Sequence, residues 1–163
     1  MVSPGDVIVS IQERVKAVEV VALRGDAPLV VESDATVRAV IERLREARIG
    51  CALVADADRL VGIFTERDVL MKVVGEKGVL DRPVTEVMTC DPATVGEEGS
   101  IRTVVKAMEK GGFRHIPVVD QQGQVVALVR HRDMIAYLVE NVADRTLNVP
   151  PDPDQVAKTP EGA

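Results

Sequence analysis

Tryptophan is absent from this chain of 163 residues, and aromatics are few: Phe64, Phe113 and Tyr137. An interior without large rings has to be built from Val, Ile, Leu and Ala, and platforms for stacking unpaired nucleobases are nearly missing. Cysteine is scarce too. Cys51 and Cys90 form no C-x-x-C pair, so a zinc ribbon or a redox dithiol has no motif to rest on. No run approaches the ~20 apolar residues that cross a bilayer. The first residues, Met1-Val2-Ser3-Pro4-Gly5-Asp6, lack the basic-then-apolar order of a signal peptide. A cytoplasmic protein with reduced thiols is the expectation. Positive charge is in deficit: 26 acids against 20 bases give a net charge of −6, which argues against nucleic acid or anionic membrane as partners. What remains is abundant aliphatic residue, 46% hydrophobic overall, sufficient for a folded core without metal or disulfide.

The chain also repeats itself. Laid over itself so that Pro28 falls on Pro92, it aligns Val31 with Val95, Arg38 with Arg102, Val40 with Val104, Val54 with Val118 and Asp56 with Asp120. One residue is inserted after the aspartates. Beyond it Val61 meets Val126, Arg67 meets Arg132 and Asp68 meets Asp133. The hydrophobic pattern agrees better than the identities do, which is the mark of a repeated structural unit. Val37, Val40, Ile41 and Leu44 fall at helical spacing, as do Ile101, Val104, Val105 and Met108, with Thr36 and Ser100 placed as N-caps. Ala52–Ala55 and Ile116–Val119 read as buried strands, Leu60–Phe64 and Val125–Val129 as second strands, and Asp68–Val74 and Asp133–Asn141 as closing helices. Each copy is then strand–helix–strand–strand–helix.

The predicted fold class is α/β (α+β): two β-α-β-β-α repeats packed sheet to sheet as an intramolecular pseudo-twofold pair. The expected division is 1–23, a leading helical segment carrying Ile8, Ile11, Val15 and Val18; 24–80, the first repeat; 81–142, the second; and 143–163, a Pro-rich tail holding Pro150, Pro151, Pro153 and Pro160. Val84–Met88 reads as a helical turn leading into the second copy.

The segment Gly62-Ile63-Phe64-Thr65-Glu66-Arg67-Asp68, after Ala52-Leu53-Val54-Ala55-Asp56, ends a strand and opens a helix. Copy two offers Arg114-His115-Ile116-Pro117-Val118-Val119-Asp120, with Val87-Met88-Thr89 leading into it. Together these resemble a tandem pair of cystathionine-β-synthase (CBS) domains, a Bateman module, over about residues 8–142. The resemblance implies a regulatory, non-enzymatic module. It would sense an adenine nucleotide or derivative (AMP, ADP, ATP or S-adenosylmethionine) in the cleft between the copies, without a required cofactor. It also implies a homodimer signalling to an unknown effector protein.

The residues themselves allow this chemistry. Thr65 stands at a strand end before a helix, where free N–H groups and the positive helix end favour phosphate. Asp68, one turn on, could accept both ribose hydroxyls. Equally, Thr65 and Asp68 could simply cap the helix. The resemblance implies that Arg114 and His115 reach across to the phosphate, that Ile63 and Phe113 flank the base beside Ala93, and that Arg67 lies at the same helix opening. In copy two, Arg130, Arg132 and Asp133 occupy the matching positions. Arg130 replaces the hydroxyl of Thr65 and could either hold phosphate or pair with Asp133 in place of a ligand. Because Gly50 and Cys51 match Arg114 and His115 but carry no charge, the better site is expected at Thr65/Asp68. Cys51, Cys90, His115 and His131 lack metal-ligand spacing, and a Cys51–His115 nucleophile has no evident orienting group. Met71, Met88 and Met108 read as core, and Gly111-Gly112 as a helix stop.

Overall fold

The computed structural model describes residues 20–23 and 26–146. The expected leading helix before Val20 and the Pro-rich tail beyond Thr146 lie outside the described residues. In copy one, β1 (Val30–Glu32) leads to α1 (Val37–Ala47), then to β2 (Cys51–Asp56) and β3 (Arg59–Thr65). A single α-turn, α2 (Glu66–Asp68), runs into a π-helical turn at Val69–Val73. Copy two has β5 (Val95–Gly96), α3 (Ile101–Gly111), β6 (His115–Val119), β7 (Val125–Arg130) and α4 (His131–Thr146). Between them lies β4 (Thr89–Cys90). The sheets run β1-β2-β3-β4 and β5-β6-β7, with β1/β2 and β5/β6 parallel and the hairpins antiparallel.

Both expected caps form. Thr36 accepts from the Ala39 N–H and Ser100 from the Thr103 N–H. Gly112, at φ 63°, ends α3 as the Gly-Gly pair predicts.

The hairpin strands β2, β3, β6 and β7 are buried on both faces over most of their length, and the alternation along them says why. Ala52 and Val54 of β2 and Phe64 of β3 face α1 in the first core, whereas Cys51, Leu53 and Ile63 point the other way. There they meet Leu128 of β7, whose neighbours Ala127 and Val129 belong to the second core. A period of two thus places one layer of each strand under helices and the other between the sheets. The sheets are further joined where the Leu60 N–H donates to the Gly123 carbonyl at 3.1 Å.

The turns that precede the two copies are exchanged in space. Val79, Val84 and Val87 pack into the first core, and the Val84 N–H donates to the Ala35 carbonyl at 2.8 Å. Their counterparts Val20 and Leu23 pack into the second, with the Val20 N–H on the Gly99 carbonyl at 2.7 Å.

One closing helix departs from expectation. After Asp68 the chain widens, and the Val74 N–H reaches back to the Val69 carbonyl at 3.0 Å. The wide turn buries Val73 and leaves Leu70, Met71 and Val74 outside, so Met71, read as core, is 75% exposed. Met108 is buried as expected.

Replacing Leu53 by Ala should cost about 3 kcal/mol. Because Leu53 sits between the sheets, urea denaturation should show one transition at a lower midpoint. A biphasic curve would mean that the copies unfold independently.

Candidate ligand cleft

At the first strand-to-helix junction, the Thr65 hydroxyl accepts weakly from the Asp68 N–H (3.4 Å) and donates to Asp68 Oδ2 (2.8 Å), which also takes the Thr65 N–H (3.0 Å). Lys72 Nζ donates to the other oxygen, Oδ1, at 2.7 Å, and Thr89 Oγ1 to the same oxygen at 3.3 Å. A carboxylate has about four acceptor positions. All are taken by the protein, and Asp68 is buried. The capping alternative is therefore the one this structure realises, and the Thr65 hydroxyl is turned onto Asp68. Lys72 also reaches the Val87 and Met88 carbonyls, at 2.8 and 3.2 Å, tying the π-turn to the segment before β4. Burial alone would raise the Asp68 carboxyl, but the Lys72 ammonium and the Thr65 hydrogen bonds outweigh it and hold the group below the usual carboxylate range.

The second junction is built from different residues to a similar end. Asp133 Oδ2 accepts from the Arg130 N–H at 3.0 Å and from Arg130 Nε at 2.8 Å. Arg130 also lies 3.5 Å from Asp26, and Arg132 lies 3.7 Å from Asp133. Arg130 thus pairs with Asp133, the second of the two arrangements open to it.

Beside this junction is a cavity of about 300 Å³. It is walled on one side by Asp26–Leu29, Arg48–Cys51 and Glu66, and on the other by Arg114, His115, Leu128 and Arg130–Arg132. The volume falls at the lower end of small-molecule pockets. The open space borders the junction of copy two, and Glu66 of the first junction also stands in its wall. Of the sequence candidates, Arg114, His115, Arg130 and Arg132 come together here. Asp133 is linked to the cavity through Arg130. Thr65, Asp68, Ile63, Arg67, Ala93 and Phe113 are not in its wall. Ile63 is in the inter-sheet cluster, Arg67 and Ala93 are exposed, and the Phe113 ring lies over Gly111.

His115 is half-buried in the cavity wall. Burial, then the charge of Arg130, lowers its pKa below the usual imidazole range and favours the neutral form. Burial and the Asp68 carboxylate push the Cys51 thiol up to about 12, which leaves it protonated and a poor nucleophile. No group of His, Cys, Asp and Glu that could hold a metal ion occurs among the described residues. No helix among them is long and apolar enough to cross a membrane.

Sequence reasoning missed Lys72, Thr89, Asp26, Glu66 and Arg48. Lys72 stands four residues after Asp68, a spacing that puts both on one helix face and could have revealed it. Thr89 and Asp26 are brought in by tertiary structure alone.

The family model of the CBS domain matches residues 20–75 and 84–140. The chain belongs to the CBS domain family. A CBS domain-containing protein of Arabidopsis thaliana is 39% identical over 95 residues, 58% of this chain, which spans only 18% of that relative. A 17.7 kDa protein of Acidianus ambivalens is 31% identical over 112 residues, 68% of this chain and 67% of its own. Among solved structures, a CBS domain protein of Pyrobaculum aerophilum complexed with AMP is 26% identical with a TM-score of 0.68, covering 77% of this chain and 99% of that one. A CBS domain pair in complex with 5′-methylthioadenosine and S-adenosyl-L-methionine shares the fold at 24% identity and a TM-score of 0.67, covering 74% and 99%.

In this CBS pair, Asp68→Ala should lower stability by about 2 kcal/mol, through the lost cap and buried hydrogen bonds. Since the folded carboxyl titrates below its unfolded value, that contribution is present above roughly pH 4 and lost as the pH falls through the folded pKa. Urea denaturation of wild type and variant should therefore converge on acidification. A thiol reagent should label exposed Cys90 in the native protein and reach buried Cys51 only in denaturant.

Proposed function

We propose that this CBS pair is a regulatory module that binds an adenine nucleotide or derivative between its copies and signals occupancy to a partner protein. The observation that carries the reading is the cavity, in which arginines of both copies meet at the start of α4. The positive end of that helix adds to the attraction for phosphate. Pro28, Leu29, Ile49 and Leu128 supply an apolar wall for a base, which would be held by aliphatic packing without an aromatic sandwich. The AMP complex of the Pyrobaculum aerophilum protein supports adenine as the base. Thr65 and Asp68 serve as a second ligand position only where a ligand displaces Lys72.

The homodimer belongs to the same proposal. Leu70 and Val74 on the π-turn match Ile135 and Val139 on α4 in the repeat, and all four are exposed. The pseudo-twofold pair therefore presents one apolar strip on each closing helix, and a second copy would cover both. Sedimentation should give a dimer, and the double variant Leu70→Asp, Val139→Asp a monomer.

A second reading, a module that only docks onto partners, is favoured by the cations already seated on Asp68 and Asp133. A thermal-shift panel of AMP, ADP, ATP, NAD, S-adenosylmethionine and cyclic nucleotides separates the two. A ligand at a hundredfold excess over its Kd adds about 2.7 kcal/mol, a rise of about 5–10 °C in a chain of this size. No rise with any adenine compound would leave the docking module.

A further inference from the structure

We infer that Arg48 makes this cleft select ligands that carry two or more phosphates, a refinement that rests on the nucleotide reading above. Arg48 follows α1 with φ 54° and ψ 42°, in the left-handed region. The position is a helix C-cap: its N–H turns back to the Arg45 carbonyl, and the Ile49 N–H to the Leu44 carbonyl. Glycine is the residue suited to such a cap. Copy two uses it, with Gly112 at φ 63° and ψ 26° in the matching place. Copy one carries an arginine there, whose Cβ makes the left-handed backbone unfavourable.

Interaction with the helix dipole does not account for the choice. A cation anywhere in the last turn would supply it, and Arg45 already stands there in ordinary helical conformation. What position 48 adds is a place in the cavity wall, which Arg48 lines. A strained non-glycine residue beside a cavity points to a role for its side chain.

The cations around that cavity differ in how far the protein has neutralised them. Arg130 is paired with Asp133 and Asp26. Arg132 is only loosely held, at 3.7 Å from Asp133. Among the described residues, Arg48 and Arg114 take part in no ion pair or hydrogen bond of their side chains. Glu66 and Asp26 also line the space, and Asp26 is turned to Arg130. Arg48 and Glu66 stand on copy one, and Arg114 and Arg132 on copy two. Three guanidinium groups not fully engaged exceed what a single phosphate dianion needs, and they match a di- or triphosphate gripped from both copies.

Isothermal titration of the full chain with adenosine, AMP, ATP and inorganic tripolyphosphate, in wild type and Arg48→Gly, tests this. ATP should bind wild type about tenfold or more tighter than AMP, and tripolyphosphate should bind and compete with ATP. Arg48→Gly should weaken ATP and tripolyphosphate about tenfold and AMP less than twofold. The Tm of the free variant should stay level or rise by about 2–4 °C as the backbone strain is relieved. Equal affinity of wild type for AMP and ATP, equal loss of both in the variant, or a fall in its Tm would each overturn the inference. Adenosine or AMP binding without tripolyphosphate would remove it and leave the nucleotide reading intact. Tripolyphosphate binding without adenosine or AMP would keep an anion site and remove adenine.

Discussion

The contact between the two sheets is the constraint from which the remainder follows. Leu53, Ile63 and Leu128 close the space between copies with small aliphatic surfaces, and a chain with no tryptophan has nothing bulkier to place there. Sheets so joined hold their strand ends in a fixed relation. Glu66, just after β3, and the junction after β7 then border one cleft, and groups far apart in sequence, such as Arg48 and Arg114, share a cavity. A copy of this size buries too little surface to be comfortably stable alone. The interface that creates the cleft is therefore also the one that stabilises each half.

Within that frame the two junctions solve the same electrostatic problem differently. Each places a carboxylate at the opening of a helix, and each gives it a cation from its own copy. At Asp68 the cation is Lys72, whose ammonium is shared with two main-chain carbonyls and so belongs to the local scaffold. At Asp133 it is Arg130, which also leans on Asp26 and forms part of a cavity wall. Neither carboxylate is left bare. The difference is that one cation is bound into backbone while the other borders open space.

The architecture was legible in the sequence because it was written twice. Hydrophobic spacing at Val37–Leu44 and Ile101–Met108, the caps Thr36 and Ser100, and the paired strands all appear in both copies. The family could be recognised from the segment around Gly62–Asp68 and its partner around Arg114–Asp120. The site was legible only in part. Arg114 and His115 are expected at Thr65/Asp68 and Arg130 and Arg132 at the other junction, whereas all four border one cavity, together with Asp26, which no local pattern ties to it. The π-turn after Asp68 carries no sequence signature either, and with it went the burial expected of Met71. The left-handed backbone at Arg48 could not be read because arginine is not the residue that conformation calls for, although the glycine matching it in copy two offered a hint.

The exchanged turns have a mechanical meaning. Val20 and Leu23 grip the second core, while Val84 and Val87 grip the first, so each half is latched by a piece that the linear order assigns to the other. The seam between the halves in space therefore does not coincide with any single point along the polypeptide. Severing the chain there would strip a wedge from a core, and neither half could be lifted out whole. A tilt of one half against the other must drag these latches along. Any movement in the cleft is thereby geared to the segments that precede each copy.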